Sequence, residues 1–219
     1  MALRAVVFDL DYTLAVPARD RETLLREAAA AADAPELSRN AYLDAHRRNL
    51  TGETREPIFR ELLAEHDTDA DPADLAAEYR RTIAAALEPV SGAAGLVRDL
   101  RERYRVGLLT NGPVRAQRDK LATLGWEDLF DAVVISGDLP AGKPDRRAFE
   151  AALGALDVAP AEAAYVGDEV EADVGGASDA GLAVVQVVWP DGPDPDPRAD
   201  AHVDRAELAA ALPGVLDGF

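Results

Sequence analysis

The chain contains no cysteine. Disulfides, thiolate metal sites and a cysteine nucleophile are therefore excluded. Lysine is nearly absent as well: of 23 basic residues, only Lys120 and Lys143 are lysine and the rest are arginine. No apolar run approaches the roughly 18–20 residues that a membrane helix needs. The opening MALRAVVFDLDYT lacks the basic region, apolar block and small-residue cleavage site of a signal peptide. A cytosolic location is expected. Repeats, a glycine-rich dinucleotide fingerprint and a Walker loop are all missing.

What is present is acid. Asp and Glu total 41, and the formal net charge is −18 over 219 residues. Such a chain repels nucleic acid and anionic membranes at long range, so neither is expected as a partner. The composition has two readings: a genome biased toward Ala, Arg, Gly and Pro, or a salt-adapted surface rich in carboxylates and poor in lysine. The second is favoured, because salt screens the self-repulsion of dense acidic charge. With 48% hydrophobic residues a substantial core is available, and the length fits one domain carrying a smaller insert.

Short apolar runs suited to buried parallel strands recur at residues 3–8, 105–109, 132–135, 163–166 and 183–188. Amphipathic helical patterns lie between them at 93–104, 114–124 and 146–156. Strands alternating with helices predict an α/β fold built on a doubly wound parallel sheet. Residues 19–87 break the rhythm. They read as four helices, at 21–32, 37–49, 55–66 and 72–87, punctuated by Asp-Ala-Pro, Thr-Gly and an acidic turn. The expected division is an α/β core over 1–17 and 89–219, with a small all-helical cap over 18–88. The Pro- and Asp-rich stretch 190–200 reads as a connecting loop.

Four strand ends carry candidate chemistry. Asp9-Leu10-Asp11-Tyr12-Thr13 follows the first run. Paired carboxylates suit a hard cation, and they suit divided labour between attack and proton transfer. In open α/β sheets, ligands bind beyond the carboxyl ends of the strands. Thr110-Asn111-Gly112 offers a hydroxyl, an amide and an unobstructed backbone N–H as donors to phosphate oxygens; alone it reads as a turn. Lys143-Pro144 puts one of the two lysines in a turn, where it could neutralise a phosphoryl group. Gly167-Asp168-Glu169 is followed by Asp173, which could reach back to the same cation; the plain alternative is that Asp168 caps a helix.

Together and in this order, these motifs resemble the haloacid dehalogenase-like superfamily over roughly residues 3–188. The stretch 166–181, VGDEVEADVGGASDAG, is similar to its fourth motif throughout. Ala172 and Glu169 depart from common choices there. The resemblance implies a Rossmann-like core, Mg²⁺ as cofactor and a small-molecule phosphate ester as substrate. It implies Asp9 as nucleophile, forming an aspartyl-phosphate, and Asp11 as acid and then base. It implies metal binding by Asp9, the backbone carbonyl of Asp11, and Asp168, with Asp173 supporting. Phosphoryl oxygens would be held by Thr110, Asn111, Gly112 and Lys143.

Asp11 favours a phosphatase over a 2-haloacid dehalogenase, whose relatives lack an acid at that place. A sugar-phosphate mutase and a non-catalytic binding protein remain as alternatives. A monomer or homodimer is expected. Tyr42, His46, Arg47, Arg48, Asn49, Arg55 and Arg60 in the helical insert could read a carboxylate or second phosphate on the substrate. The favoured expectation is a solvated face on which the arginines pair with the abundant acids, with His46 a surface or packing residue.

Overall fold

The computed structural model describes residues 2–219. A strand β1 (Ala5–Phe8) runs into a tight turn and then a short strand β2 (Ala15–Pro17). Four helices follow: α1 (Arg21–Ala31), α2 (Arg39–Arg48), α3 (Glu56–Leu63) and α4 (Pro72–Ala86). Strand β3 (Leu87–Pro89) pairs antiparallel with β2, so the helical unit is joined to the rest by a two-stranded ribbon. The chain then alternates: α5 (Ala93–Leu100), β4 (Arg105–Thr110), α6 (Val114–Leu124), β5 (Ala132–Ile135), α7 (Arg146–Leu156) and β6 (Ala163–Gly167). A wide helical turn at Val170–Gly175 leads into α8 (Gly176–Ala180), then β7 (Ala183–Val188), β8 (Ala201–Asp204) and α9 (Leu208–Leu216).

Six strands form one parallel sheet in the order β5-β4-β1-β6-β7-β8. The chain builds outward from β1 to β4 and β5, then returns to β6 on the other side of β1. That reversal opens a crevice at the carboxyl ends of β1 and β6, the usual ligand position in such sheets. β1 is buried on both faces. Val6 and Phe8 join one apolar cluster, with Leu96, Leu100 and Leu212. Ala5 and Val7 join another on the opposite face, with Phe149, Leu153 and Tyr165. This explains why the strand reads as an uninterrupted apolar run rather than an alternation.

The helical unit has a core of its own, built on Leu24, Leu25, Ile58, Phe59, Leu75, Tyr79 and Ile83. Asp20, Ser38 and Asp71 cap α1, α2 and α4 by accepting backbone N–H bonds. Truncating Phe59 or Tyr79 would cost about 3–5 kcal/mol, the usual range for a buried aromatic. Among the described residues, no helix is long and apolar enough to cross a membrane.

The expected alternation of strands and helices is present, and 190–200 is a loop. Several elements were not expected: the β2–β3 ribbon, α8, β8 and α9. β8 is an edge strand of four residues with two exposed side chains, and α9 carries Pro213 inside it. Both are too short or too interrupted for periodicity to reveal them. Their apolar residues nonetheless close one face of the core, where Val203, Leu208, Leu212 and Leu216 are buried.

Candidate functional site

The first strand ends where the chemistry begins. After Asp9 the chain leaves the sheet: Leu14 and Ala15 N–H both donate to the Leu10 carbonyl, and Tyr12 takes a left-handed backbone (φ 62°). Leu10 is buried in the core, while Asp9 and Asp11 both line one cavity of about 300 Å³. The turn thus lets two carboxylates two positions apart share a pocket without a continuing strand.

Asp9 lies beneath Lys143. The ammonium donates to Asp9 Oδ1 at 2.7 Å, to Asp173 Oδ1 at 2.6 Å and to the Tyr165 hydroxyl at 2.7 Å. Asp9 follows β1, Tyr165 lies within β6 and Asp173 in the helical turn after it, so Lys143 bridges the switch point of the sheet. Burial pushes the Asp9 carboxyl up to about 7, against the pull of Lys143 and with Asp173 and Asp11 adding to the rise. Burial would depress the Lys143 ammonium, but Asp173 and Asp9 outweigh it and hold its pKa well above the usual value.

Asp168 follows β6. It does not cap a helix, contrary to the plain alternative. Instead its Oδ1 accepts from the Thr13 hydroxyl at 2.9 Å, and the capping is done by Asp173, whose Oδ2 accepts from the Asp168 and Glu169 N–H groups at 3.0 Å each. Gly167 makes that possible: a Cβ there would stand 2.5 Å from Asp173 Cγ. Burial, then Asp173 and Asp9, raise the Asp168 carboxyl well above its ordinary range.

Oxygens of Asp9, Asp168 and Asp173 all lie within 4.8 Å of one another, and all three residues are buried. Lys143 meets two of these three crowded carboxylates. The raised values at Asp9 and Asp168 come first from burial and then from the neighbouring carboxylates. A hard divalent cation with oxygen ligands fits this donor set.

Asp11 sits in a different field. Arg21 from α1 donates to Oδ1 at 2.7 Å; Lys120 and Gln117 from α6 both reach Oδ2, the latter at 3.2 Å. Burial favours the neutral acid, yet Lys120 and Arg21 overcome it and hold the carboxyl well below the usual range. Lys120 itself is buried, and burial lowers it to about 8 despite Asp11.

The Thr110-Asn111-Gly112 turn splits by role. The buried Thr110 hydroxyl accepts from Gln117 at 2.8 Å, which leaves its own O–H to donate. The Asn111 side chain instead clamps the Lys143 loop: its amide donates to the Lys143 carbonyl, and its oxygen accepts from the Lys143 N–H, both at 2.9 Å. The Gly112 N–H goes to Ser136 Oγ at 2.8 Å and Gly112 does not line the cavity. The expectation that the Asn111 side chain and Gly112 N–H face phosphate is corrected accordingly. Both groups are already engaged in holding neighbouring loops. Ser136 in turn donates to the Leu50 carbonyl at 2.6 Å, tying this strand end to the helical unit.

Lys120, Gln117, Arg21 and Tyr165 were missed by sequence reasoning. The signal for Lys120 was its rarity: both lysines of the chain converge on this site, one on each aspartate of the pair. Tyr165 was detectable as the single polar-tipped side chain in the run AAYVG. Arg21 and Gln117 had no local signal.

The insert's arginines divide. Arg47, Arg48 and Arg60 form exposed pairs with Asp44, Glu61 and Glu56, as expected of a solvated face, although Arg47 also lines the cavity. Arg55 is buried and lines the cavity, as does His46, which stacks on Tyr42.

The sequence and the fold both have relatives. The profile of the haloacid dehalogenase-like hydrolases matches residues 3–181. A phosphoserine phosphatase of Thermus thermophilus is 41% identical over 170 residues, covering 74% of this chain and 67% of that protein. A glyceraldehyde 3-phosphate phosphatase of Methanopyrus kandleri is 32% identical over 220 residues, 94% of this chain and 93% of its own. In structure, the magnesium-bound HAD-hydrolase YfnB of Bacillus subtilis superposes with a TM-score of 0.73 at 22% identity, covering 99% of this chain and all of that one. The L-2-haloacid dehalogenase of Xanthobacter autotrophicus does so with 0.71, also at 22% identity, over 97% of this chain and 99% of its own. Fold likeness at that identity does not separate the two chemistries. The profile match and the full-length sequence relative, on a sheet that gathers the four motifs at one edge, make this chain a member of the haloacid dehalogenase-like hydrolases.

Proposed function

We propose that the protein is a cytoplasmic, Mg²⁺-dependent phosphatase that hydrolyses a small phosphate monoester through an aspartyl-phosphate on Asp9. One observation carries the reading. Asp9 and Asp11 face one cavity from a single turn, with Lys143 on Asp9 and the Asp168 and Asp173 carboxylates grouped beside it, a setting in which a bound cation would keep Asp9 ionised for attack.

The ester's phosphoryl group would lie against Asp9. Lys143 and the Thr110 O–H would take its oxygens, offsetting charge that otherwise repels the carboxylate. Asp9, Asp168 and the Asp11 backbone carbonyl would hold Mg²⁺, which supplies further charge neutralisation at the phosphoryl oxygens. Asp173 has its acceptor positions filled by Lys143, Tyr165 and two amides. It holds Lys143 and the Asp168 loop in place and would support the ion from there, directly or through water.

An Asp9 oxygen attacks phosphorus, the ester P–O bond breaks, and the leaving oxygen takes a proton from Asp11. A water then gives its proton to Asp11 and attacks the same phosphorus, releasing inorganic phosphate and restoring Asp9. Asp11 must first exchange Lys120 or Arg21 for the substrate, because both stabilise its charged form. The helical unit, resting over the strand ends with its own core, acts as a cap.

The size of the cavity, near the lower limit of ligand pockets, suits a metabolite of a few carbons. The named activities of the two sequence relatives also point to three-carbon phosphate esters. Release of inorganic phosphate from p-nitrophenyl phosphate, with Mg²⁺ and with EDTA, tests the proposal. Turnover that survives chelation, or its absence under both conditions, would defeat it.

A further inference from the structure

The cap side of the cavity carries charge that the protein itself leaves unmatched. Among the described residues, four buried side-chain atoms have no hydrogen-bond partner: Arg21 Nε, His46 Nδ1, Arg55 Nη1 and Gln117 Oε1. All four belong to residues that line the cavity holding Asp9. Buried polar atoms are otherwise paired with protein or with water, so four atoms without a protein partner on one cavity mark the groups that face its contents, water or ligand.

Arg55 is the centre of the set. It is 5% exposed. Its Nε donates to the Tyr42 hydroxyl at 3.0 Å, and its guanidinium stands 5.5 Å from the centre of the Tyr79 ring. No ion pair among the described residues includes it. A guanidinium cannot escape by losing its proton, and burying a charge without a counter-charge is strongly unfavourable. The two lysines show the contrast: Lys143 and Lys120 each contact a carboxylate.

We infer that Arg55, flanked by Arg21 Nε and His46, forms a subsite for a carboxylate at the far end of the phosphate ester. This rests on the phosphatase reading only for the position of the phosphoryl group. The free buried donors are few and close to Tyr42 and Tyr79, which suits a planar, two-oxygen anion. His46 is neutral, its pKa pushed down to about 3 by burial and then by Arg55, so its ring can donate or accept without adding charge. The cavity must also hold the phosphoryl group and the linking carbons, and a carboxylate is the smallest oxyanion that fits beside them. Gln117 Oε1 is the free acceptor of the set, on the residue that contacts both Asp11 and Thr110. It can only accept, so it selects a hydroxyl or ammonium on the linking carbons. The assigned class is therefore a short phosphorylated hydroxy or amino acid.

Phosphonates test the subsite without turnover. Isothermal titration of the full-length protein with Mg²⁺ would compare 3-phosphonopropionate, propylphosphonate and ethane-1,2-diphosphonate, which share two linking methylenes and differ at the far end. The carboxylate is expected to bind at least about tenfold tighter than the alkyl ligand, the size of a charge-assisted contact in a desolvated pocket. In Arg55→Met the ratio should fall close to one, and Arg55→Lys should restore part of it. Equal binding of carboxylate and alkyl ligands by the wild-type protein overturns the inference, whatever the variants do. A preference for the diphosphonate overturns the carboxylate in favour of a second phosphate. An undiminished ratio in a folded Arg55→Met protein removes Arg55 from the subsite. Tight carboxylate binding without turnover of any ester would keep the subsite and defeat the phosphatase reading; turnover without the preference would do the reverse.

Discussion

The cavity has two sides built on opposite rules. At the strand ends, Lys143, Asp173, Tyr165 and Asp168 are linked by hydrogen bonds of 2.6–3.0 Å, and the backbone amides of the loop are drawn in as well. Under the cap, Arg55 has a phenol and a ring face, and Arg21 and His46 have buried atoms with nothing opposite them. The first side is preorganised for one reaction. The second waits for a molecule to complete it. Chemistry common to many esters sits on rigid strand ends, and recognition of one ester sits on a unit joined by two short strands.

The contrast can be broken most sharply at Asp9. Asp9→Asn keeps the shape of the strand end and removes the nucleophile, so kcat should drop by about 10³-fold or more, read as phosphate release from p-nitrophenyl phosphate. Residual activity near wild type would end the covalent mechanism. Asp168→Asn should come next: Mg²⁺ affinity weakened by about 100-fold, seen as loss of the Mg²⁺-induced rise in Tm. An unchanged response to Mg²⁺ would remove Asp168 from the metal site.

Lys120→Met tests the link between the two sides, because Lys120 stands on the core yet holds Asp11 at the cap's edge. A drop in kcat of about 10- to 100-fold is expected, with an altered pH profile that loss of packing alone would not give. A profile of unchanged shape would make Lys120 structural.

Metal-free protein should show a smaller effect. The Asp9 carboxyl is raised from its unfolded value near 3.8 to about 7. The folded state therefore holds its proton longer than the unfolded state, and stability falls as pH rises across that window. Tm in EDTA should be higher at pH 5 than at pH 8, and Mg²⁺ should raise Tm more at pH 8. The reverse order would show that Asp9 is already charged without the ion. The smallest effect concerns neither side of the cavity. With a net charge of −18, Tm should rise between low and molar KCl as repulsion is screened, and a flat response would defeat the salt-adapted reading.

Much of the strand-end side is legible in the amino-acid string. Asp9, Thr110, Lys143 and Asp168 can be read because each follows a short apolar run, and parallel strands place their carboxyl ends along one edge. The helical insert is legible because its 3.6-residue periodicity interrupts a series of strands. The roles of Asn111 and Gly112 are not, because a turn motif does not say whether its donors face a ligand or a neighbouring loop. Arg55 was misjudged with Arg47, Arg48 and Arg60 for a related reason. Four arginines on neighbouring helices look alike in a string, and only packing decides which one is turned inward.

By itself, then, the sequence determined the strand-and-helix alternation, the insert and the residues at the strand ends, all consequences of local periodicity and chain direction. The tertiary structure alone decided that Asp11 meets Lys120 and Arg21, that Asp173 caps the Asp168 loop, and that Arg55 is buried without an anion. Those contacts join residues from 5 to 109 positions apart in the chain, or depend on a side chain's burial. They follow from tertiary packing inside the core, inside the helical unit and, for Arg21, between the two, which no local pattern encodes.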